Sequence, residues 1–378
     1  MHILFCPDSF KDALSAEEAA HAMARGAARA ATDLHPLICP LADGGEGSLD
    51  ALIAATGAER RQQTVLDALG RPRMAAWGWL ADQRTAFIEL AEASGLQPLT
   101  EQERDARYTS TYGVGQLFLA ALDHGAEKAL LLLGGSATND GGAGMLQALG
   151  ARLLDSQGQS LPPGGAALAD LATLSLEELD PRLGKLDIDA AVDVDNPLLG
   201  EHGASAVFGP QKGATPAQVQ QLDQALGHFA DIAANVLGRD DRDLPGAGAA
   251  GGMGFAAHAF LGATLKPGID MLMQQAGFDT LLAQADLVIT GEGRLDGQSL
   301  SGKTPIGVAR AAAGQQVPVV VLAGSLGDGW QACFQEGVTA AFALADGPMP
   351  LSDALPRTAE LLEARCENLI RLWRAARP

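Results

Sequence analysis

The side chains of this chain best suited to chemistry are lysines, carboxylates and hydroxyls set among glycines. Leu287-Val-Ile-Thr290 is a short β-branched apolar run, the pattern of a buried strand. It is followed by Gly291, Glu292, Gly293, Arg294 and Asp296, then by Lys303 and a helical pattern opening at Pro305. A strand, a polar glycine loop and a helix are how α/β proteins hold an anion at the carboxyl end of a sheet. The stretch reads as part of a phosphate site, with Lys303 in contact with phosphate. The alternative is a long crossover loop whose lysine is only solvated.

Three further stretches carry the same kinds of residue. Asp8, Ser9 and Lys11 follow the apolar run His2–Cys6 and precede a capping box, Ser15 with Glu18. They suit a ligand at a strand end, or a solvated turn. Asp43, Gly44, Gly45 and Glu46 offer two carboxylates and flexible amides, as a metal–phosphate site requires. They would equally suit a glycine turn with acidic residues at a helix N-terminus. Gly134, Gly135, Ser136, Thr138, Asn139 and Asp140 follow the apolar strand Ala129–Leu133. Small residues and hydroxyls there let backbone approach a ligand, which favours binding over a purely structural loop. Asp193 and Asp195 alternate near the end of a strand, so they face opposite sides unless the strand has already ended. Asp195-Asn196-Pro197 is either a turn, a base for a substrate hydroxyl, or a Mg²⁺ ligand.

Two motif matches need their context. Gly297-Gln-Ser-Leu-Ser-Gly-Lys-Thr304 is a literal Walker A string, but Gly291 to Asp296 separate it from the strand, which argues against a true P-loop fold. Gly246-Ala-Gly-Ala-Ala-Gly251 spells G-x-G-x-x-G, but the charged residues 239–243 before it cannot be a buried strand. Close helix packing or a hinge is the better reading, and a dinucleotide-dependent hydroxy-acid dehydrogenase lacks its supporting signals. The seven histidines are scattered without H-x-x-x-H, and no G-x-S-x-G elbow is present.

With 378 residues, 47% of them apolar and 19% charged, the chain can bury two α/β cores. Lys plus Arg number 26 against 46 for Asp plus Glu, a net charge of −20. That surface repels nucleic acid and acidic membranes, so small-molecule partners are expected, with local cations serving any anionic one. Cys6, Cys39, Cys333 and Cys366 form no C-x-x-C pair and read as buried reduced thiols. No signal-peptide pattern or membrane-length run is visible, so a cytoplasmic protein is expected; it is taken as a monomer or homodimer, a choice the sequence leaves open.

The first 70 residues and the last hundred or so share a βαβ rhythm, while the middle is irregular and partly antiparallel. The fold class is therefore α/β with two domains, a discontinuous Rossmann-like, doubly wound domain (1–70 plus 280–378) and a mixed α/β domain inserted at 71–279.

The blocks Cys6–Lys11, Ala42–Gly47, Gly134–Met145, Asp193–Gly200, Phe208-Gly-Pro-Gln-Lys-Gly213 and Gly291–Asp296 through Lys303 resemble, in order, the bacterial type-1 glycerate kinases. The resemblance runs from residue 1 to about 345. Asp12-Ala13 stands where Gly-Ser is expected, and Ser48 where Thr is usual. The resemblance implies ATP-dependent phosphorylation of D-glycerate with Mg²⁺ in a cleft between two α/β domains, and 2-phosphoglycerate as the product in members that resemble the sugar-acid and glyoxylate catabolic enzymes. On that reading Lys11 and Lys303 neutralise phosphate or carboxylate charge. Arg294 grips the substrate carboxylate, and Asp195 acts as base or, with Asp43, as metal ligand. The loops 134–142 and 291–296 would surround nucleotide and substrate. A 3-phosphoglycerate-forming kinase and a non-catalytic sensor of phosphate or sugar acids are the alternative functions.

Overall fold

The computed structural model describes residues 1–376, without the side chain of Ser301. Among the described residues there are thirteen strands, in chain order: β1 (His2–Phe5), β2 (His35–Ile38), β3 (Glu59–Leu66), β4 (Pro72–Leu80), β5 (Thr85–Glu89), β6 (Lys128–Leu132), β7 (Arg152–Leu154), β8 (Thr173–Ser175), β9 (Asp187–Ala191), β10 (Thr264–Lys266), β11 (Leu287–Leu295), β12 (Val319–Leu326) and β13 (Ala340–Ala343). They form two compact units. One comprises residues 1–43, 50–57 and 267–378, the other 44–49 and 58–266.

The first unit is built on a parallel sheet of order β13-β12-β11-β1-β2. Its central strands are continuous apolar runs because both faces are covered. Ile3, Phe5, Leu287, Ile289 and Leu322 pack with Ala19, Met23 and Ala27 of helix Ala16–Ala30 and with Leu362, Cys366 and Ile370 of helix Thr358–Ala376. Cys6 and Cys39 are buried, and burial pushes both thiols upward, Cys39 to about 12.

The second unit carries a mixed sheet of order β10-β9-β6-β5-β4-β3, parallel from β10 to β5 and antiparallel from β5 to β3. A small antiparallel pair, β7–β8, lies apart from it. Helix Pro216–Leu237, opened by a Thr215/Gln218 capping box, contributes Leu226, Phe229 and Ala233 to the core.

Some boundaries differ from the sequence expectation. β3 pairs along its full length with β4, so residues 58–70 lie in the second unit rather than with the first 57, and residues 267–279 lie with the first. β11 runs five residues past its apolar start, because Gly291, Glu292, Arg294 and Leu295 keep register with Leu322, Ala323, Ser325 and Leu326 of β12. β9 ends at Ala191, so Asp193 and Asp195 lie beyond the strand, where its parity rule no longer applies. Among the described residues no helix is long and apolar enough to cross a membrane.

Candidate active site

In the first unit, three adjacent parallel strands bring their carboxyl ends to one edge. Backbone bonds continue the ladder past the strands: Asp8 N–H donates to the Gly291 carbonyl at 2.8 Å, and Leu41 N–H to the Pro7 carbonyl at 3.0 Å. Asp8 is thereby held beside the Gly291–Glu292 step of β11, and Asp43 follows two residues after Leu41. Thr304, at the start of helix Thr304–Gly314, donates its hydroxyl to Asp8 Oδ2 at 2.6 Å. Ser9 N–H donates to Asp8 Oδ1 at 2.6 Å.

The electrostatics of this group are unfavourable for its own charges. Burial, then the charge of Asp43, raises Asp8 to about 7, against the pull of Thr304 and Ser9. Burial likewise raises Glu292 to about 7. The Ser299 hydroxyl and the Lys303 charge oppose the rise, and Asp8 and Asp43 add to it. Glu292 is 7% exposed, and its Oε1 is buried without a hydrogen-bond partner. Burial thus disfavours charge on Asp8 and Glu292, and Glu292 Oε1 leaves one hydrogen-bond acceptor unfilled.

The extension of β11 also changes the setting of the Walker A string. The strand now ends at Leu295, two residues before Gly297, and the helix opens at Thr304 with Lys303 as its N-cap. The loop itself closes through a 3₁₀ turn, with Lys303 N–H donating to the Ser299 carbonyl at 3.2 Å, and Gly302 takes φ 103°. Arg294 is largely exposed and pairs with Asp296 at 2.9 Å. Lys11 is exposed in the turn after β1, and Asp12 beside it holds φ 63°. That left-handed conformation accounts for the glycine expected at position 12, and an aspartate is among the few other residues that tolerate it.

In the second unit, β5, β6 and β9 end at a common edge. Glu89, at the end of β5 and 4% exposed, accepts from Gly47 N–H at 3.2 Å and Leu49 N–H at 2.8 Å, so it fixes the Gly44–Leu49 segment at the start of helix Ser48–Thr56. Gly134 N–H donates to the Gly44 carbonyl at 3.1 Å, and a Cβ on Gly134 would stand 2.2 Å from the Gly45 Cα. Only glycine permits this approach.

Much of the 134–142 loop is held by its own scaffold. Asp140 is buried and its carboxylate is taken up: Oδ2 accepts from Thr111 N–H at 2.8 Å, Thr111 Oγ1 at 2.9 Å and Gly144 N–H at 3.2 Å, and Oδ1 from Gly142 N–H at 3.2 Å. Burial raises its pKa in spite of these donors. Asn139 donates to Ser205 Oγ at 2.9 Å. The G-x-G-x-x-G stretch packs against the same loop: Gly141 N–H donates to the Gly251 carbonyl at 3.0 Å, and a Cβ on Gly251 would lie 2.0 Å from the Thr138 carbonyl oxygen. Asp195 is exposed, and Asn196 donates to the His202 carbonyl at 2.7 Å.

Lys212 lies outside the residues that spacing and residue type single out. It is 1% exposed, and its Nζ donates to Ser136 Oγ at 2.8 Å and to the Thr138 carbonyl at 2.7 Å. Burial pulls it down to about 7, with the Asp140 charge acting against that fall. Its only sequence signal was its place in the Phe208–Gly213 block. Glu89 gave no signal beyond being a carboxylate at a strand end.

Carboxylates and cations gathered at the carboxyl ends of parallel strands, with glycine loops between, define the class of α/β enzymes that work on small anionic ligands. The comparisons are specific within that class. A family model described as the glycerate kinase family matches residues 3–374. A Bacillus subtilis glycerate kinase is 48% identical over 98% of this chain and 97% of its own. The Escherichia coli glycerate 2-kinase is 47% identical over 91% of this chain and 90% of its own. A crystal structure described as a glycerate kinase 2 from Salmonella typhimurium superposes with a TM-score of 0.89 at 45% identity, covering 99% of this chain and 98% of that one. The chain belongs to the glycerate kinase family.

Proposed function

We propose that the chain transfers the γ-phosphoryl group of ATP to the 2-hydroxyl of D-glycerate, giving 2-phosphoglycerate and ADP. The family membership supports the kinase reading, and the name of the Escherichia coli relative supports the 2-position. The observation that carries the site assignment is the Asp8–Asp43–Glu292 group with Lys303 and Thr304 at the ends of adjacent strands.

In the reaction the glycerate O2 attacks the γ-phosphorus, the bond to the β,γ-bridging oxygen breaks, and the hydroxyl proton leaves to a base. Asp195 is proposed as that base. Lys303 and Lys11 take the charge of the phosphates, and Arg294 can exchange Asp296 for the substrate carboxylate, since a guanidinium suits a bidentate carboxylate. Ser9, Gly44, Gly45, Gly134, Gly135, Ser136, Thr138, Asn139, Asn196, Gly291 and Gly293 are proposed to line nucleotide and substrate, with Asp140 supporting its loop from within.

The donor set also suits Mg²⁺. Among the described residues no three His, Cys, Asp or Glu side chains converge as a complete cage. Mg²⁺ in kinases is held by one or two carboxylates together with phosphates and water, so a full protein cage is not required. Asp43 and Asp8 would hold it, where it would neutralise charge on the phosphates. Asp195 serves as the base in this reading; in the alternative it is the ligand that joins Asp43. The test is turnover: purified protein with ATP, Mg²⁺ and D-glycerate should yield ADP and a phosphoglycerate in equal amounts. ADP formed at the same rate without glycerate would contradict the reading.

A further inference from the structure

We infer that Lys212 is a positioning residue that makes the Ser136 hydroxyl an obligate hydrogen-bond donor toward an anionic oxygen of a bound ligand. The inference rests on the kinase reading only for the identity of that ligand.

An ammonium has three N–H donors and no acceptor. Lys212 Nζ gives one to Ser136 Oγ at 2.8 Å and one to the Thr138 carbonyl at 2.7 Å. Ser136 Oγ therefore acts as acceptor on its Lys212 side, and its own proton must point elsewhere. Among the described residues no protein group takes that proton, and Ser136 as a residue is 7% exposed rather than fully sealed. Two more polar atoms of the same loop, Thr138 Oγ1 and Asn139 Oδ1, are buried and unpartnered. A loop so short of partners suits a ligand, or water ordered by one, that supplies the missing bonds.

The choice of a lysine is itself informative. Burying an ammonium away from a direct carboxylate partner is costly, and Asp140, whose charge acts on Lys212, already has its oxygens engaged by Thr111, Gly142 and Gly144. A strut that only braced the Thr138 carbonyl would need no charge. A cation one hydroxyl behind the surface, which a bound anion would hold in its protonated form, is placed to strengthen a donor to that anion. The anionic oxygen can come from the hydroxy-acid carboxylate or from a nucleotide phosphate.

The test is calorimetric binding of D-glycerate and, separately, of a non-hydrolysable ATP analogue to wild type, Ser136→Ala, Lys212→Met and the double variant. For one of the two ligands, Ser136→Ala should weaken Kd by about 10- to 100-fold, the scale of a charge-assisted hydrogen bond. That ligand identifies the source of the oxygen. Lys212→Met should weaken the same ligand, and the double variant should be no worse than the poorer single one, because the two residues act in series. Unchanged Kd values for both ligands in Ser136→Ala would overturn the inference, whether or not Lys212→Met folds. So would additive losses in the double variant, or a Lys212→Met protein that melts earlier but binds both ligands normally. A wild type that binds D-glycerate without phosphorylating it would instead contradict the kinase reading and leave these Kd comparisons intact.

Discussion

The hydroxyl of Thr304 donates to Asp8 Oδ2 at 2.6 Å, joining residues 296 positions apart in the chain. The bond ties the first strand's loop to the start of helix Thr304–Gly314, next to Lys303. Breaking it with Thr304→Val removes the donor with little change of shape. We expect loss of the bond to cost about 1–3 kcal/mol of stability, since it leaves a carboxylate oxygen short of a partner. We also expect kcat/KM to fall at least tenfold. Thermal melting and steady-state kinetics on the same preparation check both.

Burial and the neighbouring carboxylate charges raise Asp8 and Glu292 to about 7, well above their ordinary values, so the folded state holds protons that the unfolded state has released between about pH 4 and 7. Their contribution to stability is fully present below the unfolded pKa and is lost as pH rises through 7. The ligand-free protein should therefore lose melting temperature from these groups between pH 5 and 8, and Mg²⁺ with nucleotide should raise it more at pH 8 than at pH 5. Asp8→Asn should flatten the ligand-free profile while lowering kcat about a hundredfold or more. An unchanged melting profile in Asp8→Asn would rule out this account of the carboxylates.

Lys212 shifts in the opposite sense for its charge type. Burial pulls it from the ordinary lysine value of 10.5 down to about 7, so the unfolded chain binds more protons between those values. Stability from this group should rise with pH across that window. Differential melting between pH 7 and 10 should show a rising component in wild type that Lys212→Met lacks.

Much of this was legible in the sequence and some was not, for identifiable reasons. The apolar starts of β1, β6 and β11, and the glycine loops after them, followed from burial on both faces of a sheet. The second half of β11 did not, because Gly291 to Arg294 have no strand pattern and are held by pairing with β12. Lys212 was hidden because its burial depends on Ser136 and Thr138, which lie 76 and 74 positions away. Asp140 looked like a ligand group from its company of small residues, and its bonds to Thr111 could be found only in three dimensions.

The G-x-G-x-x-G string serves packing. Gly251 holds φ 71°, and a Cβ there would meet the Thr138 carbonyl at 2.0 Å. Gly251→Ala should cost more than about 3 kcal/mol, combining left-handed strain of roughly 1–2 kcal/mol with displacement of the 134–142 loop. Chemical denaturation measures it. A variant of wild-type stability would show that the loop can shift without penalty.

Lys303→Ala should lower kcat about a hundredfold with the melting temperature within a few degrees of wild type, on the scale of losing one preorganised charge donor. Near-normal turnover would return residues 297–304 to a structural role.

The most direct measurement is the proton-coupled ³¹P spectrum of the product formed from D-glycerate, ATP and Mg²⁺. Phosphorylation at O2 places phosphorus next to a single proton on C2, so the account predicts a doublet matching 2-phosphoglycerate, formed only when glycerate is present. A triplet from the C3 methylene would contradict the 2-position, and the absence of any phosphate ester would contradict the kinase reading itself.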